Sequence, residues 1–425
     1  MGDRSAFQSP LRRTCCFIDC GVRTEAIPPS GAISGFRRRS AIRYVNLEPG
    51  DPAPYFAGAS TSNPRFVFDT AAGRYLVLCM LGSAGDPAVR AAITAAAARR
   101  DVFDDNHASL FGVSLDPDDL HERRLEQSLP GVRHFWDFDG AIGRLYGALP
   151  LDLASPETVS GRREILEPLL FRRMWLVLDP TLRVLKVWPF DPRPEEVGKV
   201  IEYVASLPPP GHFSGIALQA PVLYLPNVFE AALCERLIGL YLASGGQPSG
   251  FMRERDGKTV AVQDPGFKRR QDYVLSDSEV IQEIQARVRR RIRPEIRKAF
   301  QFDASRMERY IVACYSGEDR GFFRPHRDNT TKGTAHRRFA VSINLNADFE
   351  GGELGFPEYG AQTFKPPPGG AVVFSCSLLH TVHEVRKGRR YAFLPFLYDD
   401  AAAAIRESNN PYLGAGLQPY KREAL

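Results

Sequence analysis

The segment CYSGEDRGFFRPHRDN, residues 314–329, decides how the second half of this 425-residue chain folds. It carries His326 and Asp328 one residue apart. On an extended strand the side chains repeat every second residue, so both point to the same face. A further histidine, His380, follows in SLLHTVHEV, residues 377–385. The spacing predicts that two imidazoles and one carboxylate meet on one side of a metal ion.

This ligand set is typical of non-haem Fe(II) oxygenases, because it leaves the other coordination positions of the metal free. Two further histidines lie nearby. His383 is the alternative to His380, and otherwise we expect it to support the site from outside or lie on the surface. His336, in TTKGTAHRRF, is predicted to lie in a solvent-exposed loop.

The order of the surrounding motifs adds to this pattern. Tyr315 precedes the histidine, and four stretches follow Asp328: EGGELGFPE at 350–358, PPPGG at 366–370, AVVFSC at 371–376 and GRRYAFLPF at 388–396. From roughly Pro221 to Tyr398, this order resembles the 2-oxoglutarate and Fe(II)-dependent dioxygenases of the prolyl 4-hydroxylase type.

The resemblance implies a set of site residues and a reaction. It implies that the metal ligands are His326, Asp328 and His380, that Arg390 grips the far carboxylate of 2-oxoglutarate, and that Tyr315 hydrogen-bonds the same group. No catalytic side chain beyond these ligands is implied. The expected reaction hydroxylates a carbon centre, for example in a prolyl or another amino-acid residue, and releases succinate and CO2. L-ascorbate is implied as the reductant that rescues over-oxidised iron.

Elementary chemistry agrees with these expectations. An arginine fork pairs a carboxylate through two hydrogen bonds, and O2 activation needs a redox metal that side chains cannot replace. Arg389 is the alternative to Arg390, and strand alternation allows only one of the two to point inward. The family spacing favours Arg390. The intact Asp328 argues against the halogenase branch, which lacks this carboxylate.

We expect a multidomain α+β protein whose C-terminal half is a double-stranded β-helix, or jelly roll, with supporting helices. Five segments read as its strands: RYIVACY, RFAVSINLN, GGELGF, AVVFSC and YAFLPFLY. Before them, residues 275–300 read as an amphipathic helical region that opens with a capping box at Ser276 and Glu279. Its arginines fit a solvated outer face better than a nucleic-acid patch.

The N-terminal half predicts a thioredoxin-like α/β domain. A strand near Tyr75, an Ala-rich helix from about Pro87 to Arg100, a strand SLFGVSL and a hairpin RRMWLVLDPTLRVLKVW follow in order. GDPAPYF, FDGAIGRLYG and LVLDPTLRVL resemble phrases of the peroxiredoxins.

The departure from that family is more informative than the match. The reactive cysteine of peroxiredoxins would fall near Ala88, in MLGSAGDPAVR, where the chain has none. Arg173 matches the active-site arginine, and Cys79 sits in an apolar strand where a thiol is inert. A thiol peroxidase or a redox-sensing binding protein is therefore the alternative function, and the missing cysteine argues against it. A metal that only stabilises the fold is a third reading.

Composition and linkers complete the expectations. We expect a disordered leader at 1–45, a peroxiredoxin-like domain at 46–205, a Pro-rich linker at 206–217, a dioxygenase domain at 218–400 and a tail at 401–425. With 44% hydrophobic and 25% charged residues and a net charge of +5, the chain fits a soluble protein without a membrane span. Seven cysteines in no regular framework favour a reducing, cytoplasmic setting. The expected partner is a small-molecule, peptide or protein substrate; nucleic acid is disfavoured and the oligomeric state stays open.

Overall fold

The computed structural model describes residues 42–152 and 170–422, which form a mixed α/β protein with several sheets. Most of the expected leader, with Cys15, Cys16 and Cys20, lies outside the described residues. Within the described ranges, no helix has both the length and the apolar character needed to cross a membrane.

The N-terminal half is built on a five-stranded sheet. In spatial order its strands are Val132–Trp136, Ala108–Ser114, Tyr75–Gly82, Met174–Leu178 and Val184–Pro189. The first three run parallel and the last two form an antiparallel hairpin. The predicted strand, helix, strand and hairpin are confirmed. The central strand is buried throughout, as its continuous apolar run YLVLCMLG requires.

Helices cover one face of this sheet. Pro87–Ala97 and Pro194–Ser206 share an apolar cluster with alternate residues of the central strand, among them Val77 and Cys79. Asp86 caps the first helix, and its side chain accepts a hydrogen bond from the Ala88 N–H. The second helix ends at Ser206, where the Pro-rich segment begins.

The helical region before the barrel is confirmed, with one correction. The chain forms the helices Ala231–Ser244, Ser278–Arg291 and Arg293–Phe300. The predicted capping box at Ser276 is wrong. The helix begins at Ser278 and its N-cap is Asp277, whose carboxylate accepts hydrogen bonds from the N–H groups of Glu279 and Val280. The helices Ser278–Arg291 and Arg293–Phe300 are separate because Pro294 has no N–H with which to continue the backbone hydrogen bonds of the preceding helix.

The amphipathic pattern of this region holds. The buried stripe comprises Val280, Ile284, Val288, Ile292 and Ile296, which join the barrel's largest apolar cluster. On the outer face, Arg287 and Arg291 form ion pairs with Glu230 at 3.2 and 2.5 Å. These arginines therefore lie on the side away from the core, as the sequence predicts.

Two sheets form the barrel. Within the described residues, the larger contains Leu223–Leu225, Gln247–Pro248, Gln271–Val274, Arg306–Glu308, Ile311–Ser316, Phe339–Asn344, Phe349–Gly351, Ala371–Ser375, Val385–Phe393 and Phe396–Tyr398. The smaller contains Lys268–Arg269, Phe322–His326, Leu354–Gly355, Thr363–Phe364 and His380–Val382. A further hairpin pairs Phe251–Arg255 with Lys258–Val262.

The two sheets bury a common apolar cluster, to which Tyr315 and Phe374 contribute from the larger sheet and Phe323 and Val382 from the smaller. This arrangement is consistent with the predicted jelly roll. All five predicted barrel segments contain strands. Beyond them, the segment expected to be a tail begins with the helix Asp400–Ser408.

Candidate metal and cosubstrate site

The predicted metal ligands come together on the smaller sheet. His326 ends one strand, His380 begins the next, and the two residues are direct partners across the antiparallel pair. Asp328 follows two residues after His326, with Oδ1 3.6 Å from His326 Nε2 and Oδ2 3.3 Å from His380 Nε2. One ligand atom from each residue lies within 4.8 Å of the others. This cluster can hold a metal ion.

Backbone carbonyls fix the orientation of both imidazoles. His326 Nδ1 lies 2.7 Å from the Arg324 carbonyl oxygen, and His380 Nδ1 lies 3.0 Å from that of Leu378. Because a carbonyl oxygen only accepts, each Nδ1 donates its proton, and in the neutral ring the Nε2 atom therefore keeps a lone pair. Both lone pairs are therefore available to a metal beside the Asp328 carboxylate.

The electrostatics of the cluster favour the same protonation states. Burial would raise the pKa of the Asp328 carboxyl, but its attraction to His380 and His326 outweighs this and lowers the pKa below its usual range. Burial, and then repulsion from His380, lowers the pKa of His326 well below that of a free imidazole. The donors are thus one carboxylate and at least one neutral imidazole, the states that a divalent metal binds.

The predicted cosubstrate residues face the same interior from the larger sheet. Tyr315 and Arg390 are direct cross-strand partners, and Arg390 is 2% exposed. Its Nε donates to Asn344 Oδ1 at 3.0 Å and its Nη2 to Ser342 Oγ at 2.8 Å. Its Nη1 is buried without a partner among the described residues. An orphaned guanidinium donor in a buried site fits a carboxylate ligand.

A small cavity of about 60 Å³ joins these residues to the metal cluster. Its lining includes Tyr315 and Arg390 together with His326, Asp328 and His380. The five site residues predicted from the sequence therefore lie around one interior space. An oxo-acid bound there can reach both the arginine fork and the metal position.

A second buried arginine in this cavity was not predicted. Arg270 Nη1 donates to the Tyr315 hydroxyl at 3.3 Å, and the Asp272 carboxylate holds the rest of the guanidinium at 2.7 Å on both Nε and Nη2. In the structure, buried Lys268 and Arg270 and half-buried Asp272 alternate with exposed Arg269 and Gln271. Strand alternation applied to FKRRQDYV identifies the inward set.

The alternatives considered from the sequence lie elsewhere. Arg389 is exposed and pairs with Glu318 at 3.0 Å, and His383 is exposed outside the cluster. The prediction that His336 is solvent-exposed is wrong: it is 1% exposed, with Nε2 3.1 Å from Glu308 Oε1. Glu308 is a buried carboxylate that also binds Arg337 and Arg406, and this ion cluster draws the loop inward.

The N-terminal domain contacts the metal-binding segment directly. Arg327, between His326 and Asp328, donates Nε to Asp69 Oδ2 at 2.8 Å and Nη2 to Glu358 Oε1 at 2.9 Å. All three side chains of this bridge are 7–8% exposed. The Asp69–Arg327–Glu358 bridge thus ties the N-terminal domain to the barrel inside the predicted ligand motif.

A second contact holds the other ligand strand. Leu379, immediately before His380, is fully buried in the apolar cluster of the N-terminal domain, which includes Phe68 and Ala72. Nearby, Gly73 adopts φ +94° and packs so closely that a Cβ atom would lie 2.7 Å from the Pro357 carbonyl oxygen. The domains therefore meet at a close, partly apolar interface beside both histidine ligands.

The thiol chemistry of a peroxiredoxin has no counterpart among the described residues. Their four cysteines, Cys79, Cys234, Cys314 and Cys376, are all buried and free. Burial raises the pKa of the Cys79 thiol well above its usual value, which disfavours the reactive thiolate. Arg173, the arginine singled out in the sequence, lies 3.7 Å from the Asp86 carboxylate.

Comparisons with known proteins agree with this site. Residues 310–398 match the family model of the 2OG-Fe(II) oxygenase superfamily. The chain is 35% identical over 91 residues to the PKHD-type hydroxylase PiuC of Pseudomonas aeruginosa, an alignment that covers 19% of this chain and 39% of that protein. Residues 310–398 are therefore similar to a 2OG-Fe(II) oxygenase domain, and the chain spans about two fifths of the length of the curated relative that it matches.

Similarities to solved structures are of low score and low identity. The viral collagen prolyl hydroxylase of Paramecium bursaria Chlorella virus-1 has a TM-score of 0.32 at 19% identity, covering 41% of this chain and 94% of that one. Peroxiredoxin Q of Xanthomonas campestris has a TM-score of 0.28 at 16% identity, covering 36% and 90%. Scores this low do not by themselves establish a shared fold.

Proposed function

We propose that this protein uses Fe(II) and 2-oxoglutarate to hydroxylate a carbon centre of a substrate, with release of succinate and CO2. The observation that carries the proposal is the unpartnered Arg390 Nη1, which lines the same small cavity as the His326, Asp328 and His380 cluster. A metal cluster alone would also fit a structural ion. A buried cation awaiting an anion beside it fits a bound oxo-acid.

The side chains then have separate tasks. Through their Nε2 atoms and carboxylate, the cluster residues hold Fe(II), which when bound supplies the O2 activation that side chains cannot. Arg390 binds the far carboxylate of 2-oxoglutarate, and the Tyr315 hydroxyl, held by Arg270, hydrogen-bonds the same group. Ser342 and Asn344 keep the guanidinium in place. The apolar walls from Phe323 and Phe374 exclude water from the reacting atoms.

The N-terminal half is proposed as a thioredoxin-like domain of the peroxiredoxin type that has no peroxidatic cysteine. Its mixed sheet, with three parallel strands and a terminal hairpin, supports this assignment. Its contacts to Arg327 and Leu379 suit a supporting domain for the metal site. The substrate carbon, for example in a prolyl residue, and the use of L-ascorbate belong to the same proposal, together with the domain limits expected from the sequence.

Anaerobic titration with Fe(II) tests the function. Adding Fe(II) with 2-oxoglutarate should give the weak visible charge-transfer band of the chelate, and neither component alone should give it. Asp328→Asn should weaken Fe(II) binding more than about 100-fold, since loss of a ligand exceeds the loss caused by an outer partner.

The matched control is Asp319→Asn, which removes an exposed carboxylate outside the cluster and should keep the band. A full band in Asp328→Asn would refute the assignment of this ligand. Folded wild-type protein that gives no band with both components would refute the proposed function.

A further inference from the structure

We propose that the primary substrate is a small molecule carrying a carboxylate or phosphate group, which binds in a cleft between the two domains. This inference rests on the proposed function and names the substrate class of the same site. The cleft has a volume of about 860 Å³, within the range of small-molecule sites. His326 and Asp328 line its inner end, so a bound molecule can present a carbon to the metal position.

The cleft adjoins the small cavity near the metal cluster but does not include the part of that cavity beside Arg390. The two spaces share Arg309, Phe323, His326 and Asp328, whereas Tyr315 and Arg390 line only the small cavity. 2-Oxoglutarate and a second molecule can therefore approach the metal position from different sides. This is the arrangement that a two-substrate oxidation requires.

The charge of the cleft indicates an anion. Nine arginine or lysine side chains line it, against three carboxylates, those of Asp69, Glu308 and Asp328. Two of these carboxylates are already bound by arginines, and the third belongs to the metal cluster. The excess positive charge is therefore not balanced by the lining itself.

Four of the cations have no carboxylate within ion-pair distance among the described residues: Arg65, Arg253, Lys268 and Arg324. Lys268 is the most telling, because it is 5% exposed and its ammonium donates only to Ser249 Oγ at 2.7 Å and the Gly250 carbonyl at 2.6 Å. Burial, and then repulsion from Arg270, lowers the pKa of Lys268, although Asp272 and Asp328 partly oppose this. A buried ammonium with a spare donor and no carboxylate at ion-pair distance is costly, so a ligand anion would favour its charged form.

The N-terminal domain completes this site. Arg65, Phe66 and Val67 of that domain face the barrel residues across the cleft. On the opposite wall, the Arg253 guanidinium lies 4.9 Å from the Phe251 ring centroid and 5.5 Å from that of Phe267. Burial, and then repulsion from Arg255 and Arg65, lowers the pKa of Arg253, although attraction to Asp264 partly opposes this. An anion between Arg65 and Arg253 would relieve the repulsion between them. The aromatic rings beside them can cover an apolar portion of the same molecule.

Calorimetric titration of the full chain tests this inference. The protein is saturated anaerobically with Fe(II) and 2-oxoglutarate, which fills the small cavity, and is titrated with phenyl phosphate, phenylacetate and neutral phenylacetamide. Both anions should bind at least tenfold more tightly than the amide, and the stronger of the two identifies the group recognised. Arg253→Gln and Arg65→Gln should each weaken anion binding about three- to tenfold without changing that of the amide.

The matched control is Arg290→Gln, which removes an exposed arginine from the outer helix and should leave all three affinities unchanged. Equal binding of the amide and the anions, or unchanged anion binding in both variants, would overturn the inference. Tighter binding of an acidic peptide than of either small anion would also overturn it, in favour of a protein substrate. The visible band of the same samples separates the two proposals, since its absence refutes the function, whereas a band without anion preference refutes only the substrate class.

Discussion

At the scale of single residues, the site depends on cations held in place without an anion of their own. Arg390 is positioned by Ser342 and Asn344, which are neutral, so its charge stays available for a ligand. This differs from Arg389 next to it, whose charge is already paired with Glu318 on the surface. The two neighbours therefore make a matched pair for mutation.

We expect Arg390→Gln to raise the Kd for 2-oxoglutarate. Loss of a charge-assisted partner for a buried carboxylate costs about 2–5 kcal/mol, which is roughly thirtyfold or more in Kd. Titrating the visible band of the Fe(II) complex with 2-oxoglutarate measures this, and Arg389→Gln should give the wild-type Kd. If the two variants behave alike, Arg390 does not bind the cosubstrate.

The residues that the structure brings together around the small cavity could be picked out from the sequence because each sits in a short motif on or beside a strand. His326 and Asp328 share a face by the period of two, and the same period separates Arg390 from Arg389. The burial of His336 could not be predicted, because it depends on Glu308, a carboxylate on the distant strand Arg306–Glu308. Arg270 was not predicted, because in the sequence an arginine within a run of basic residues cannot be distinguished from a surface arginine.

At the scale of elements, the segment Lys268–Val274 carries much of the site's charge. Asp272 binds Arg270 through two 2.7 Å contacts and Arg309 at 3.3 Å. Burial would raise the pKa of Asp272, but attraction to Arg270 and then Arg309 lowers it to about 2. This one carboxylate therefore holds two arginines that line the cosubstrate cavity.

The lowered pKa of Asp272 predicts how the free energy of unfolding depends on pH in the variant Asp272→Asn. In the unfolded chain the pKa of an aspartate is about 3.9. The Asp272 carboxylate therefore stabilises the folded protein fully above that pH. Its contribution, about 2 kcal/mol, is lost as the pH falls towards about 2. Between pH 4 and 2, the free energy of unfolding should fall less steeply in the variant than in the wild type, and the variant should be less stable at pH 7. Urea unfolding at several pH values measures both effects.

The exposed Asp319→Asn serves as the control, because its curve should follow that of the wild type. If the free energy of unfolding falls equally steeply between pH 4 and 2 in Asp272→Asn and in the wild type, Asp272 is not held in its ionised form by the two arginines.

At the scale of the whole molecule, the N-terminal and C-terminal halves contact each other beside the candidate metal site. We expect Asp69→Asn, which removes one carboxylate from the Asp69–Arg327–Glu358 bridge, to cost about 1–3 kcal/mol of stability. Leu379→Ala should cost about 2–5 kcal/mol by opening a cavity. Each should also weaken Fe(II) binding about 10- to 100-fold, because each disturbs a residue adjacent to a ligand.

Urea unfolding and the band titration measure these two effects, with the exposed Leu242→Ala as control for the leucine. Loss of stability with unchanged Fe(II) affinity would show that the interface supports the fold but not the metal site. This contact could not be predicted from the sequence, since a salt bridge between residues 69 and 327 leaves no local pattern.

The bridge through Arg327 has a consequence for the modularity of the chain. A fusion of two domains is ordinarily separable at its linker, and each half keeps its own properties when exchanged for another. Here, a barrel cut free of residues 42–207 would expose Leu379 to water and leave Arg327 with only Glu358 as a carboxylate partner. We therefore expect that the half carrying the His326, Asp328 and His380 cluster cannot be transplanted alone with the geometry of that cluster intact, because the N-terminal half supports it structurally.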